Sequence, residues 1–242
     1  MVKMVLVLMT IQCVDLTKTY QQDGQILKAV DNVSFSINDG EFAAILGHSG
    51  SGKTTLLSLM GGLTVPDHGS VIINGTNIQQ QGAKELTAIR NRTIGFIFQF
   101  GSLIPTLTAI ENILLPLSFA DSSSNPEEKI PLARELMDQV GLSDKENSYP
   151  AQLSGGQQRR VAIARAFINQ PDIILADEPT GDLDEDTEKE ILEIFRHYNT
   201  EQKMTFVVVT HNSQLVETQH NPRTFLMRNG QLVETTGEGA HL

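Results

Sequence analysis

One stretch of eight residues constrains the fold of this chain more than any other: Gly47-His48-Ser49-Gly50-Ser51-Gly52-Lys53-Thr54. An apolar run, Phe42–Leu46, precedes it, and residues 55–60 have a helical pattern. A strand, a glycine-rich loop and a helix with the spacing G-x-x-x-x-G-K-[ST] are typical of a phosphate-binding loop. Its glycines let the backbone curl and direct N–H groups at an anion. The helix N-terminus adds unpaired N–H groups and the positive end of a dipole.

This loop predicts a nucleoside triphosphate site that extends through Thr55. In such a site the lysine, here Lys53, reaches the β- and γ-phosphates and acts in catalysis, while the Thr54 hydroxyl binds Mg²⁺. An ordinary glycine-rich turn is the alternative interpretation, and the strand–loop–helix context disfavours it. The loop alone therefore indicates nucleotide binding without showing what that binding accomplishes.

The composition limits the classes of protein that remain. The 242 residues are 40% hydrophobic and 19% charged, which indicates a folded chain with a sizeable core. The net charge of −11 argues against a broad nucleic-acid-binding surface, since that would need clustered lysines and arginines. The single cysteine, Cys13, excludes an internal disulfide and fits a reducing compartment.

The sequence contains no stretch that predicts a membrane span or a leader. Residues 5–9 are apolar, but they are too few for a signal peptide and lack a small-residue cleavage site. Met9 is an alternative native start, which would make residues 1–8 an extension. An intact-mass measurement that finds Met1 on the native protein would contradict this hypothesis.

Short apolar runs predict buried strands. Residues 94–98, 173–176 and 206–209 follow Phe42–Leu46 along the chain, with helical patterns between them. This alternation predicts an α/β fold with a parallel sheet covered on both faces. Ligands of such sheets bind beyond the carboxyl ends of the strands.

Two other regions depart from this pattern. Residues 11–20 and 26–37 read as strands joined by a tight turn, with a break at Asp31-Asn32, which predicts an N-terminal antiparallel β region. Residues 101–152 read as mostly helical, with an interruption at Pro116. We predict one domain, 1–242, in which a helical subdomain of about 101–170 is inserted into the α/β core.

Polar residues follow the apolar strands, at the edge where the phosphate loop lies. They are Gln99, Asp177-Glu178 and His211. Asp177 would hold Mg²⁺, usually through water, and Glu178 would deprotonate the water that attacks the γ-phosphate. Taken alone, Gln99 has two interpretations, an ordinary loop residue or a ligand of Mg²⁺ or water. An acidic pair at a strand end is commonly only solvated. The neighbouring phosphate loop favours a functional role for Asp177 and Glu178 over that interpretation.

A second anion site is predicted at Leu153-Ser154-Gly155-Gly156-Gln157, because glycines and a hydroxyl precede the helical residues 158–168. The chain thus has two anion-binding helix ends but one lysine-bearing loop and one acidic pair. A homodimer resolves the mismatch, since each ATP can lie between the phosphate loop of one copy and Ser154-Gly155-Gly156 of the other.

Together these motifs resemble the nucleotide-binding subunit of ATP-binding cassette (ABC) transporters. The phosphate loop, Gln99, LSGGQ, IILADE, Gly181-Asp182-Leu183-Asp184 and His211 occur in that family's order over about residues 10–236. The resemblance implies a P-loop NTPase fold with a RecA-like core. It also implies ATP and Mg²⁺ as cofactors and ATP hydrolysis as the reaction.

The resemblance also implies roles for individual residues. Tyr20, otherwise a core or surface aromatic, would stack on adenine, and Gln99 would sense Mg²⁺ and the membrane partner. The Ser154-Gly155-Gly156-Gln157 turn would contact the ATP held by the second copy, and Asp184 would link the two sites. His211 would hold the γ-phosphate and the attacking water.

A finer resemblance lies in residues 100–117, in SYPAQLSGGQQRRVAIARA and in ADEPTGDLD. These stretches are similar to the branch of lipoprotein-release, macrolide-export and antimicrobial-peptide-detoxification ATPases, which includes the cell-division ABC ATPase. His48 stands where this branch commonly has proline, and Arg159 where a third glutamine is common. We expect no functional change from His48, and we expect Arg159, Arg160 and Arg165 to make structural ion pairs.

The expected protein is therefore an ATPase at the cytoplasmic face of a membrane. It would bind a second copy of itself and a separate integral-membrane permease, without nucleic acid, for export or extraction of a lipid-linked, hydrophobic or peptide substrate. The alternative is a soluble ABC ATPase acting on ribosomes, DNA or the cell-division machinery. Proteins of that kind that act on ribosomes or DNA usually carry two cassettes or a long coiled-coil insertion. A GTPase or small-molecule kinase would leave LSGGQ unexplained.

Overall fold

The computed structural model describes residues 9–22, 24–99, 103–119, 126–181, 183–212, 215–216, 218–219 and 221–235. Several predictions concern residues outside these ranges. They are the extension 1–8 that the alternative start implies, the first residues of the 100–117 resemblance and Asp182. The sequence also predicts a loop at 121–126, of which 121–125 lie outside the described ranges, and a loose tail at 237–242, which lies outside them entirely.

The described part of the chain begins with three strands, and strands and helices are interspersed after them. In chain order they are β1 (Met9–Gln22), β2 (Gln25–Asn38), β3 (Phe42–Leu46), α1 (Lys53–Met60), β4 (His68–Ile73), β5 (Thr76–Asn77), α2 (Ala83–Thr93), β6 (Ile94–Ile97), α3 (Ala109–Leu114), α4 (Ile130–Gln139), α5 (Gly155–Phe167), β7 (Ile173–Asp177), α6 (Glu185–Gln202), β8 (Thr205–Thr210), β9 (Arg223–Arg228) and β10 (Gln231–Thr235). Short 3₁₀ turns lie at Ile78–Gln80, Leu115–Phe119, Pro126–Lys129, Ser143–Lys145 and Pro150–Gln152.

The larger sheet of the described chain has six strands in the order β10-β9-β3-β8-β7-β6. Its strands β9, β3, β8, β7 and β6 are parallel, and β10 pairs antiparallel with β9. All residues of β3, β7 and β8 are buried. The predicted α/β fold with a covered parallel sheet is confirmed, because apolar runs of this length survive only where helices or a second sheet cover both faces.

The smaller sheet of the described chain is antiparallel, in the order β2-β1-β4-β5. This confirms the predicted antiparallel β region. The predicted break at Asp31-Asn32 was wrong, since β2 continues through it. Asn32 adopts a positive φ of 53°, and the β1–β2 register shifts between Leu16 and Lys18. An extra residue in one strand can be absorbed as a bulge without ending the pairing.

Alternate residues of the parallel strands pack into two separate hydrophobic cores. Phe206 and Val208 of β8 join a core with α3, α4, α5 and α6, whereas Val207 and Val209 join a core with α1 and the antiparallel sheet. Successive strand residues face opposite sides of a sheet, so this division follows from the strand geometry. The predicted interruption at Pro116 is present, because α3 ends at Leu114 and a 3₁₀ turn follows.

Candidate nucleotide-binding site

A cavity of about 720 Å³ opens at the carboxyl ends of the parallel strands. It is lined by the loop residues His48-Ser49-Gly50-Ser51-Gly52-Lys53-Thr54-Thr55 and by Tyr20, Gln99, Asp177, Glu178 and His211. The loop follows β3, Gln99 follows β6, Asp177 ends β7, and His211 follows β8. Parallel strands bring these ends to one edge, as the sequence predicted.

The loop backbone needs glycine at two positions. Gly50 and Gly52 have φ values of 77° and 106°, which residues with side chains rarely adopt. At Gly52 a Cβ atom would also lie 2.0 Å from the carbonyl oxygen of Ala29 in β2. Gly52 is the N-cap of α1 and supplies no side-chain cap, so the first N–H groups of α1 remain available to an anion.

Lys53 lies inside the curl of its own loop. Its ammonium donates to the carbonyl oxygens of Gly47 at 2.6 Å and His48 at 3.1 Å. Burial lowers the pKa of Lys53, and the charges of Glu178 and Asp177 act in the opposite direction. Ser51 Oγ is buried and has no hydrogen-bond partner among the described residues. The loop therefore holds a buried cation and an unsatisfied hydroxyl side by side.

Asp177 is the buried carboxylate of the site, with 5% of its surface exposed. Burial is the main reason that its pKa is raised, and the neighbouring Glu178 raises it further. A hydrogen bond from the Thr54 side chain and the charges of Lys53 and Arg159 oppose this shift. The Asp177 carboxylate thus interacts with Lys53 and Thr54, the two loop residues that the sequence predicts to bind phosphate and Mg²⁺.

Glu178 is held in one orientation by the end of β8. Its backbone has a positive φ of 46°, and its N–H donates to the carbonyl oxygen of Val209 at 2.9 Å. One carboxylate oxygen accepts a hydrogen bond from Thr210 Oγ1 at 2.8 Å, and the other lies 2.8 Å from His211 Nδ1. Sequence reasoning assigned Glu178 and His211 to the site but missed Thr210, whose only signal was its place before that histidine.

Arg159, in the second turn of α5, contacts the segments that carry Gln99 and Glu178. Its guanidinium donates to the carbonyl oxygens of Phe98, Gln99, Glu178 and Pro179. The neighbouring Arg160 donates to the Val140 carbonyl and forms no ion pair with a described residue, so the ion-pair prediction was wrong for Arg160.

The Ser154-Gly155-Gly156-Gln157 turn lies outside the cavity. Ser154 is the N-cap of α5, which begins at Gly155, three residues earlier than predicted. Its hydroxyl accepts from the Gln157 N–H at 3.2 Å, and Gln157 Oε1 accepts from the Ser154 N–H at 2.9 Å. Ser154 and Gly155 are exposed. The structure therefore leaves this turn available to another molecule.

Asp184 also lies outside the cavity. It is the N-cap of α6, with its carboxylate accepting from the Thr187 N–H at 3.0 Å and from the Thr187 hydroxyl at 2.7 Å. These hydrogen bonds lower the pKa of Asp184. The sequence pattern predicts this helix from Leu183, but the Asp184 cap places its start at Glu185. The role of Asp184 in linking two sites stays a prediction.

Further cavity residues come from segments that sequence reasoning did not connect to the loop. Leu27, Lys28 and Ala29 of β2 line the cavity, as does the Asn229-Gly230 turn between β9 and β10. The Gly230 N–H donates to the Ser51 carbonyl at 3.0 Å. The turn was visible in the sequence, but its place beside the loop follows from the pairing of β9 with β3.

Tyr20 lies at the rim of the cavity and is 43% exposed. Lys18 Nζ lies 5.7 Å from the centre of its ring, and the same ammonium pairs with Asp67 at 2.9 Å. The Lys18 ammonium therefore lies against one side of the Tyr20 ring, and the ring remains partly exposed.

Comparison with known proteins identifies the family. Residues 30–181 match the family described as ABC transporter. An uncharacterised ABC transporter ATP-binding protein of Thermotoga maritima is 47% identical over 206 residues, which cover 85% of this chain and 87% of that protein. The chain belongs to the ABC transporter family. Another relative of the same description, from Mycobacterium tuberculosis, is 40% identical over 92% of this chain and 88% of its own length.

Solved structures of ABC cassettes share the fold. A dimeric post-hydrolysis state of the ATP-binding cassette MJ0796, bound to ADP and Pi, matches with a TM-score of 0.87 and 40% identity, covering 94% of this chain and 99% of that one. A second dimeric structure of MJ0796, described as a bacterial ABC transporter cassette, also has a TM-score of 0.87, with 41% identity. The chain is thus an ATP-binding ATPase of the ABC family.

The structure also bears on the membrane. Within the described ranges, no helix of this ABC cassette combines the length and the apolar character that crossing a bilayer requires.

Proposed function

We propose that this chain is the ATP-hydrolysing subunit of a transporter and that two copies share two ATP sites. One observation carries the proposal. The cavity gathers the phosphate loop, Gln99, Asp177, Glu178 and His211, whereas the signature turn beginning at Ser154 is exposed outside it. A helix N-terminus suited to an anion that does not line the cavity of its own copy is explained by a second copy.

The cavity suits a nucleoside triphosphate. Its volume of about 720 Å³ is within the usual range for ligand sites. Ser51 Oγ lacks a partner among the described residues and would donate to a phosphate oxygen. The N-terminus of α1 and the Lys53 ammonium add positive charge at the same place, while Tyr20 at the rim offers a ring face to adenine.

The donor set also suits Mg²⁺. Thr54, Gln99 and Asp177 offer a hydroxyl, an amide and a carboxylate oxygen at one side of the cavity, and Mg²⁺ prefers a few such oxygens together with phosphate oxygens. Among the described residues no group of three or more His, Cys, Asp or Glu side chains could hold a metal ion by itself. Bound Mg²⁺ would neutralise charge on the phosphates during their transfer.

In the proposed reaction, Glu178 accepts a proton from water as the water oxygen bonds to the γ-phosphorus and the bond to the ADP oxygen breaks. Thr210 and His211 fix the Glu178 carboxylate through its two oxygens. The His211 ring, with its side chain 72% exposed, would also hold the γ-phosphate and the attacking water. Lys53 would exchange its two carbonyl contacts for phosphate oxygens.

The second copy would complete each site. Its Ser154-Gly155-Gly156-Gln157 turn would cover the phosphates, and Asp184, near the start of α6, would link the two sites. The dimeric structures of a cassette 40% identical to this chain, one of them with ADP and Pi, support this arrangement.

The dimer would bind a separate membrane permease at the cytoplasmic face of the membrane and would use ATP hydrolysis to move it. Relatives described as ABC transporter ATP-binding proteins support the transporter assignment. The resemblance to lipoprotein-release, macrolide-export and peptide-detoxification ATPases supports a lipid-linked, hydrophobic or peptide substrate that is exported or extracted. Gln99, which follows β6 at the exposed rim of the cavity, would respond to both Mg²⁺ and the permease.

Mixing two inactive variants tests the shared site. Lys53→Ala removes the phosphate-loop lysine, and Ser154→Arg blocks the signature turn. A mixed dimer contains one intact site, built from the loop of the Ser154→Arg chain and the turn of the Lys53→Ala chain. We expect each variant alone to be inactive and the mixture to recover up to about a quarter of wild-type ATPase activity, since half of randomly paired dimers are mixed. An inactive mixture would contradict the shared site.

Co-purification tests the transport role. A membrane protein that copurifies with the native chain from detergent-solubilised membranes would support the permease. Ribosomes or DNA in the same preparation would instead support the non-transport alternative.

A further inference from the structure

The Arg159 side chain lies on the signature helix and contacts the backbone of two other segments of the proposed site. Arg159 is 4% exposed and lies one turn after Ser154, the N-cap of the signature helix α5. Its Nη1 donates to the carbonyl oxygens of Phe98, at 2.6 Å, and of Gln99. Its Nε donates to the Pro179 carbonyl at 3.1 Å, and its Nη2 donates to the Glu178 carbonyl.

These carbonyls belong to two neighbouring strand ends. Phe98 and Gln99 follow β6, while Glu178 and Pro179 follow β7, and the two strands pair in parallel only as far as Ile97 and Ala176. Beyond that point no β6–β7 ladder hydrogen bond serves these carbonyls, and backbone carbonyls outside a ladder need other partners. The planar guanidinium has five N–H donors in a fixed geometry, which lets one side chain serve both segments.

The backbone around Glu178 and Gly181 has a conformation that accommodates the Arg159 guanidinium. Glu178 has a positive φ of 46°, which turns its carbonyl toward α5 while its carboxylate reaches Thr210 and His211. The Gly181 N–H donates to that same carbonyl at 3.1 Å. A Cβ atom at Gly181 would lie 3.4 Å from Arg159 Nη2, so the guanidinium already fills the space beside the glycine.

We propose that Arg159 is a positioning residue that sets the backbone of Gln99 and of Glu178 relative to the signature helix. This inference rests on the proposed function, in which Gln99 and Glu178 act on ATP held partly by the signature turn of the partner copy. Arg159 thereby links α5, which begins beside Ser154, to both strand ends. It does not line the cavity and acts through Gln99 and Glu178, which do.

Two substitutions separate geometry from charge. Arg159→Met removes every donor while it keeps a long unbranched side chain. Arg159→Lys keeps the charge but replaces the planar fork with one ammonium on a flexible stem, which cannot serve both strand ends in the same geometry. Arg160→Lys is the matched control, because Arg160 is the next residue of α5, donates to the Val140 carbonyl at 3.0 Å and does not line the cavity.

The assay measures kcat and KM for ATP hydrolysis together with ATP binding by the isolated chain. We expect kcat to fall about 10- to 100-fold in Arg159→Met and about tenfold in Arg159→Lys, since small misplacements of catalytic groups have effects of this size. KM and ATP binding should stay within about twofold of wild type, because the lost interaction acts on the chemical step. Arg160→Lys should match wild type.

Amide hydrogen exchange supplies a readout independent of turnover. Exchange at the Glu178 and Gly181 amides should accelerate in Arg159→Lys and not in Arg160→Lys, because only the first change frees the Glu178 carbonyl. If Arg159→Met fails to fold, Arg159→Lys carries the test. A kcat for Arg159→Lys within about twofold of wild type, or unchanged exchange, would overturn the inference. A wild-type chain without ATPase activity would instead overturn the proposed function.

Discussion

Thr210→Val tests whether the Thr210 hydroxyl holds the carboxylate of Glu178, the proposed base. Thr210 is 1% exposed, and its Oγ1 donates to Glu178 at 2.8 Å. Valine has nearly the same shape, so the change removes the hydroxyl without opening a cavity. A hydrogen bond to a charged group contributes about 1.5–3 kcal/mol. If that orientation is needed in the transition state, kcat should fall about 10- to 100-fold, because about 1.4 kcal/mol corresponds to a factor of ten.

The assay is steady-state ATP hydrolysis by the purified chain, with ATP binding measured separately. Binding should be unchanged, since Thr210 does not line the cavity. The matched control is Thr205→Val, at the other end of β8, where a fully buried hydroxyl accepts from the Gly40 N–H at 3.0 Å. The control should lower the free energy of unfolding by about 1–3 kcal/mol and leave kcat intact. An equal loss of kcat in both variants, or a loss below about twofold in Thr210→Val, would refute this reasoning.

Three further predictions concern the base, the loop and pH. Glu178→Gln should retain ATP binding, nearly abolish hydrolysis and trap an ATP-bound dimer in size-exclusion chromatography; near-normal turnover would remove Glu178 as the base. Gly52→Ala should abolish ATP binding and lower the melting temperature, because its Cβ would overlap the Ala29 carbonyl at 2.0 Å, whereas Gly50→Ala, which meets no atom within 4 Å, should cost only about 1–2 kcal/mol of backbone strain. The pKa of Asp67 is lowered to about 2 by hydrogen bonds in the folded state, so its stabilising effect is present above its ordinary value of 3.8 and disappears as the pH falls toward 2. The difference in unfolding free energy between wild type and Asp67→Asn should vanish over that range, and a difference that persists at low pH would count against the assignment.

The parts of the site that the sequence predicted depend on residues that are adjacent in the chain. A glycine with a positive φ, a helix N-terminus and an apolar strand are local features. The loop from Gly47 to Thr54 and the polar residues after β6, β7 and β8 could therefore be placed at one edge from the sequence alone. The fold class and the ABC family followed from the same motifs and are confirmed.

The residues that were missed or misassigned depend on contacts between distant parts of the chain. Arg159 lies 60 residues from Gln99 and 19 from Glu178 along the sequence, and nothing near it indicates that its guanidinium serves those carbonyls. Charge, from which we predicted ion pairs, is visible in a sequence, whereas the carbonyl oxygens that Arg159 contacts at the strand ends are not. The contact of Gly230 with Ser51 has the same origin.

By itself, the sequence determined that a strand, the loop Gly47 to Thr54 and a helix would form a phosphate site, because backbone conformation there depends on neighbouring residues. It also led to the prediction that each copy holds half of an ATP site, with the signature turn at Ser154 completing the site of a second copy. Only the tertiary structure decided how the half-site is held together. Strand order and register bring Ala29 and Gly230 against the loop, Thr210 and His211 against Glu178, and Arg159 against two strand ends. Those distances are set by packing across the whole sheet, and no local stretch of residues contains them.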